Sequence, residues 1–118
     1  MHNFKELKVW QESMALAKEV FIATKTFPSE EKFGLISQLN RCSVSIPSNI
    51  AEGAGRNSEK EFNQFLAIAL GSCFELETQL LLSIEFNYIT KEQTQLLTER
   101  VSKVQKMLNG LKKSIYQS

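Results

Sequence analysis

The sequence predicts an all-α protein, an antiparallel up-down-up-down four-helix bundle. Three observations predict the bundle. Apolar residues recur at spacings of three and four along four stretches, at about 4–26, 30–54, 59–87 and 91–115. Each stretch is bounded by Pro, Gly or a Ser/Thr capping signal. The connections between them are short, which favours antiparallel neighbours. No stretch shows the alternation of a half-buried strand, and no internal repeat is evident. The 118 residues, 42% apolar and 23% charged, read as a single domain 1–118 with one core that needs no staples.

In the first segment Leu7, Trp10, Met14, Ala17, Phe21 and Thr24 form one helical face. A second line, Val9, Leu16, Val20, Ala23 and Phe27, runs about a quarter turn away. Two adjacent apolar seams on one helix imply two neighbours. Pro28 disfavours helical backbone at Phe27 and ends the segment. Ser29 is the expected N-cap of the second helix, with Glu30 and Glu31 in its first turn, where the dipole favours negative charge. Leu35, Leu39, Cys42, Ile46 and Ile50 make its apolar face. They keep register across Pro47, so the helix should continue through the proline and bend there. Gly53 and Gly55 are expected to stop it.

Ser58 to Glu61 is a capping box that opens the third helix. From Phe62 to Ile89, 17 of 28 residues are apolar, and they cover nearly the whole circumference. Phe62, Leu66, Ala69, Cys73, Leu76 and Leu80 make one seam; Ala67, Leu70, Phe74, Leu81, Ile84 and Tyr88 make another. Such a helix is central or lies in a subunit interface. Thr90 to Gln93 is a second capping box. It starts a helix with a single stripe, Leu97, Val101, Val104, Leu108, Leu111 and Ile115, and a wet outer side.

Helices one and three carry more apolar surface than a four-helix monomer uses, which points to self-association through them. The interface candidates are Val9, Leu16 and Val20 on the first helix and Phe74 and Leu81 on the third. Glu75 and Glu77 interrupt the third helix. At i and i+2 they point about 200° apart and cannot act as one acid–base pair. They read as rim positions, with Arg41 and Arg56 as candidate partners.

The only histidine is His2, with no ligand at metal spacing, so no metal or cofactor is expected. No residue pattern supplies an activated nucleophile or a phosphate-binding loop, and neither an enzymatic activity nor a small-molecule substrate is expected. Cys42 and Cys73 read as buried, reduced thiols. The N-terminus lacks the apolar region of a signal peptide, and the longest unbroken apolar run, Phe65 to Leu70, is too short to span a bilayer. The expected location is the cytoplasm, with no membrane partner.

The net charge is +1, yet charge is uneven along the chain. Residues 57–89 hold five Glu against one Lys, and residues 90–118 hold six Lys or Arg against two Glu. Lys103, Lys106 and Lys113 share a stripe on helix four, with Arg100 near it. This is either a solvated face or a row of phosphate contacts for nucleic acid.

The most specific signal is Gln38-Leu39-Asn40-Arg41, then the run from Ser45 to Gly53 (Ser-Ile-Pro-Ser-Asn-Ile-Ala-Glu-Gly), then Gly55-Arg56. Leu7 to Trp10, Phe27-Pro28 with Glu31, Phe65-Leu66, Ala69 to Ser72 and Glu75 to Gln79 add to it. With these motifs the chain resembles, over nearly its whole length, the four-helix-bundle family encoded by intervening sequences in bacterial 23S ribosomal RNA genes. That family is often labelled ribosomal, and it includes accessory proteins of diversity-generating retroelements. The resemblance implies a ring, commonly of five subunits, with a central channel and no enzymatic activity. The retroelement relatives are basic and bind nucleic acid, whereas this chain is nearly neutral.

From the residues themselves, the motif reads as structural. Arg41, Ser45, Pro47, Ser48, Asn49, Glu52, Gly53 and Arg56, with Glu75 and Glu77, would specify a kink and an inter-helix polar network. Glu52 and Arg56 stand in the stronger i,i+4 order. The expected function is a ring-forming interaction protein that contacts RNA, or a scaffold that binds another protein in the channel or on the rim.

Overall fold

The computed structural model describes residues 2–117 and contains four α-helices among them. We number them α1 (Lys8–Thr24), α2 (Leu35–Ala54), α3 (Glu59–Glu85) and α4 (Lys91–Gln117). α2 packs on α1 and α3, and α4 packs on α3 and α1. α1 and α3 therefore stand at opposite corners of an elongated bundle, 45 × 23 × 20 Å.

The core is built from one stripe per helix. Leu39, Ile46 and Ile50 of α2, Leu66, Ala69, Cys73 and Leu76 of α3, and Val101, Val104 and Leu108 of α4 are fully buried. These are the stripes expected from the spacing. On α1 the two expected seams divide differently. Val9, Leu16 and Val20 are only 4%, 0% and 0% exposed, so these interface candidates belong to the chain's own core. Their place in the line is completed by Ser13 and Thr24, whose hydroxyls donate to the Trp10 and Phe21 carbonyls of the same helix and so are buried without loss. The other seam is split: Leu7 and Trp10 pack against the core and Thr24 is buried, whereas Met14 is left 46% and Phe21 54% exposed.

The first helix is shorter than expected because it starts twice. Asn3 accepts from the Lys5 N–H to start a 3₁₀ turn at Phe4–Glu6; Leu7 is extended, and α1 begins at Lys8. The segment is anchored by the His2 N–H to the Ala54 carbonyl, 2.8 Å, and by the Gln11 amide to the Lys5 carbonyl, 2.9 Å.

α2 also begins late. Ser29 starts a separate 3₁₀ turn at Ser29–Glu31 and does not cap α2. The cap comes from Glu31, whose Oε2 accepts from the Leu35 N–H at 3.0 Å. Gly34 makes room for it, since a Cβ there would lie 2.7 Å from that oxygen. Glu31 Oε1 accepts from the Tyr88 hydroxyl at 2.9 Å, tying the α1–α2 connection to the α3–α4 connection.

α2 is continuous through Pro47, as its register requires. Gly53 lies inside the helix, not after it, and is buried. A Cβ there would sit 2.6 Å from Phe65 Cβ and 3.0 Å from Phe62 Cδ1, so glycine permits the close approach of α2 and α3. α3 ends in a Schellman motif. Asn87 is left-handed (φ 61°), the Tyr88 N–H donates to the Ser83 carbonyl, and the Asn87 N–H donates to the Ile84 carbonyl. The Thr90 capping box forms in both directions, Gln93 N–H to Thr90 Oγ1 and Thr90 N–H to Gln93 Oε1. α3 is long and apolar enough by composition to cross a bilayer, but its buried stripe is packed between α2 and α4. Its other side carries exposed Ile68, Phe74, Leu81 and Leu82.

Two predictions follow from these contacts. Gly53→Ala overpacks the α2–α3 contact and should destabilise the fold by about 1–3 kcal/mol in chemical denaturation. Helix propensity alone would give the opposite sign. Second, the Leu35 N–H and then the Tyr88 hydroxyl hold the Glu31 carboxyl below its ordinary 4.5. A lowered carboxyl pKa contributes stability above 4.5 that is lost as the pH falls through the folded-state value. The melting-temperature gap between wild type and Glu31→Gln should therefore be open at neutral pH and close in acid; a gap independent of pH would remove Glu31 from this role.

Candidate functional site

The motif in α2 turns Ser45 and Gly53 toward α3, while its other polar side chains bond within α2 and its C-terminal turn or face solvent. Ser45 Oγ and Ser72 Oγ share a hydrogen bond of 2.9 Å. Asn49 Nδ2 donates to the Ser45 carbonyl at 2.8 Å and to its hydroxyl at 3.0 Å. The Cys42 thiol donates to the Ser72 carbonyl at 2.9 Å. Pro47 is buried in the same stretch. At the α2–α3 turn, Arg56 reaches back to Glu52 at 3.2 Å in the expected i,i+4 pair, and its guanidinium lies 4.8 Å from the Phe65 ring centre. Ser48 and Arg41 are exposed, and their side chains make no hydrogen bond or ion pair among the described residues.

The two glutamates of α3 find other partners than the arginines proposed for them. Glu75 is exposed and accepts from the Gln79 amide of its own helix at 3.3 Å. Glu77 is half-buried and accepts from the Gln105 amide of α4 at 3.0 Å. They point to different sides of α3, as their spacing requires, and do not form a carboxylate pair.

The basic strip of α4 is divided in two. Arg100 and Lys103 turn to α1. Lys103 Nζ lies 3.2 Å from Glu12 Oε1, and Arg100 lies 3.8 Å from Glu12 Oε2 and 3.1 Å from Glu19 Oε2. The last contact is poorly aligned for a hydrogen bond, so it acts as an ion pair. Lys106 and Lys113 are exposed and have no such partner among the described residues. Glu12 and Glu19, seven residues apart on one line of α1 and facing a basic stripe of α4, are the signal that would have placed this cluster from sequence.

The groups most used in catalysis are engaged or protonated. His2 Nε2 is 2.8 Å from Glu59 Oε1, and its ring stacks at 4.7 Å on Phe62. Burial pushes both thiols up to about 12, with Glu75 adding to the effect at Cys42, and Cys42 and then Glu77 adding at Cys73. Thiolate is the reactive form, so neither cysteine is a ready nucleophile. Among the described residues no group of three His, Cys, Asp or Glu is placed to hold a metal ion. Both thiols should resist an aromatic disulfide reagent at mildly alkaline pH in the folded protein and react together on unfolding. Fast labelling of either in the native state would contradict their burial.

The geometry is therefore that of a four-helix bundle in which Ser45, Cys42 and Gly53 of α2 meet α3 closely. The chain is similar in structure to a protein of unknown function from the S23 ribosomal protein family of Bacteroides thetaiotaomicron VPI-5482, with a TM-score of 0.83 and 31% identity over 89% of this chain and 95% of that one. No curated protein matches. The family model described as 23S rRNA-intervening sequence protein matches residues 5–110. With nine-tenths of its length inside that model, and the motif from Ser45 to Gly53 within it, the chain belongs to the 23S rRNA-intervening sequence protein family.

Proposed function

We propose that this protein is a non-enzymatic interaction module that works as a closed ring of identical subunits, five being the number its family resemblance implies. The observation that carries this is exposed apolar surface on two helices. Met14, Phe21 and Ile22 on α1 and Ile68, Phe74 and Leu81 on α3 are each about half exposed. Several large exposed apolar side chains on one helix mark an interaction face in a small domain. The occupied histidine and protonated thiols support a non-enzymatic role.

Light scattering across micromolar concentrations tests it. The expected mass is a multiple of the 13.4 kDa chain, five-fold for a pentamer. Phe74 is 51% exposed, so Phe74→Glu should leave the helical content of the subunit intact while lowering the assembled mass. A wild type that stays at 13.4 kDa contradicts the proposal.

A second reading, RNA contact on the outer side of α4, draws on the exposed Lys106 and Lys113. Arg100 and Lys103 are neutralised by Glu12 and Glu19 and contribute less. In a ring each strip is repeated, so several weak contacts act together on one RNA. Filter binding across salt is the test. Lys106→Gln with Lys113→Gln should lower affinity and reduce the salt slope by about one unit per lost contact. Equal slopes in wild type and variant would leave the protein-scaffold reading alone.

A further inference from the structure

The two uncovered faces differ in charge, and this specifies how they meet. On α1, Met14 and Phe21 stand seven residues apart on one line, and Lys18 stands on the next, seven residues before Lys25 at the C-cap. All four are exposed. The acidic residues of α1, Glu12 and Glu19, are turned to α4 and held by Arg100 and Lys103. The outward charge of this face is thus basic, and Lys25 Nζ lies over the Phe21 ring at 4.8 Å.

On α3 the outward face carries Phe74 and Leu81 on one line, with Glu75 beside them and Glu85 further along. Glu77 is drawn aside to Gln105. Lys60, the one basic residue of α3, lies in its first turn, remote from these residues. This face is apolar and acidic.

We propose that α1 of one copy packs against α3 of the next, with Lys18 and Lys25 facing Glu75 and Glu85. This rests on the self-assembly reading and names the surfaces that carry it. A symmetric contact, α1 on α1 or α3 on α3, would bring like charges together across an apolar patch, which opposes association. The head-to-tail contact matches charge and offers apolar hollows to apolar side chains. Hollows of about 390 and 300 Å³ lie on either side of the C-terminal end of α1, the first lined by Ile22, Ala23 and Leu96, the second by Phe21, Thr24 and Ile36. Phe74 and Leu81 are the projecting side chains that such hollows accept. Each copy keeps one free face of each kind at the ends of the row, so the contact repeats until the rotation between subunits closes it.

Charge reversal tests the pairing. Lys18→Glu with Lys25→Glu makes both faces acidic; Glu75→Lys with Glu85→Lys makes both basic. These positions are exposed, so each double variant should keep the wild-type helical content by circular dichroism. Each should scatter as the 13.4 kDa chain at concentrations where wild type assembles. The quadruple variant restores opposite charges and should regain the wild-type mass. Should a reversed pair fail to fold, Lys18→Gln with Lys25→Gln removes the charge without reversing it and should still lower the assembled fraction. If wild type assembles and the double variants keep its mass, the pairing is wrong. If they dissociate and the quadruple variant does not recover, it is wrong as well. In both cases self-assembly itself stands. A wild type that never assembles removes both.

Discussion

The rest of the structure depends on how closely α2 and α3 approach. At Gly53 a missing side chain lets Phe62 and Phe65 lie against the backbone of α2. Two turns back, the Ser45–Ser72 hydrogen bond and the Cys42–Ser72 contact hold the same pair of helices in register. Small residues bring the axes together, and short hydroxyl and thiol side chains satisfy each other in the space that is left. Large polar side chains would force the helices apart. This is why a run of Ser, Pro, Asn and Gly occurs in a helix whose propensities would otherwise disfavour it.

The contact also decides which surfaces remain free. Once one flank of α3 is committed to α2, its core stripe from Phe62 to Leu80 is fixed, and α4 closes over the other flank with Val101, Val104 and Leu108. The line through Phe74 and Leu81 is then left outside. α1 completes the square against α2 and α4. Its side toward α4 is supplemented by charge, with Arg100 set between Glu12 and Glu19. That use of acidic residues removes them from the outer face of α1. Internal packing and surface character are thus one arrangement: the ion cluster that joins α1 to α4 is also what leaves Lys18 and Lys25 unopposed.

Much of this was legible in the sequence. The buried faces of α2, α3 and α4 follow from spacing alone, and so do the continuity through Pro47, the Thr90 capping box and the Glu52–Arg56 pair. The choice between the two seams of α1 was not legible. Both are apolar and a quarter turn apart, so periodicity cannot rank them. The buried line includes Ser13 and Thr24, which look polar in sequence yet satisfy their hydroxyls on their own helix. The start of α2 was missed because its cap is a glutamate four residues upstream that works only with Gly34 beside it. Gly53 looked like a stop because glycine ends helices more often than it lines a close contact. The partner of Glu77 is Gln105 of α4, set by which helices become neighbours, and spacing within one helix does not contain that information; Glu75 instead pairs with Gln79 four residues on in its own helix.

The central claim is that the motif from Ser45 to Gly53 is spent on joining α2 to α3. A double-mutant cycle on the hydroxyl pair tests it most directly. Ser45→Ala, Ser72→Ala and the double variant would be unfolded in denaturant and their stabilities compared with wild type. The account predicts a favourable coupling of about 0.5–1.5 kcal/mol between the two positions, with the double variant close in stability to the worse single one. Additive effects, or single variants as stable as wild type, would show that the pair does not hold the helices together and would return the motif to the surface as a binding element.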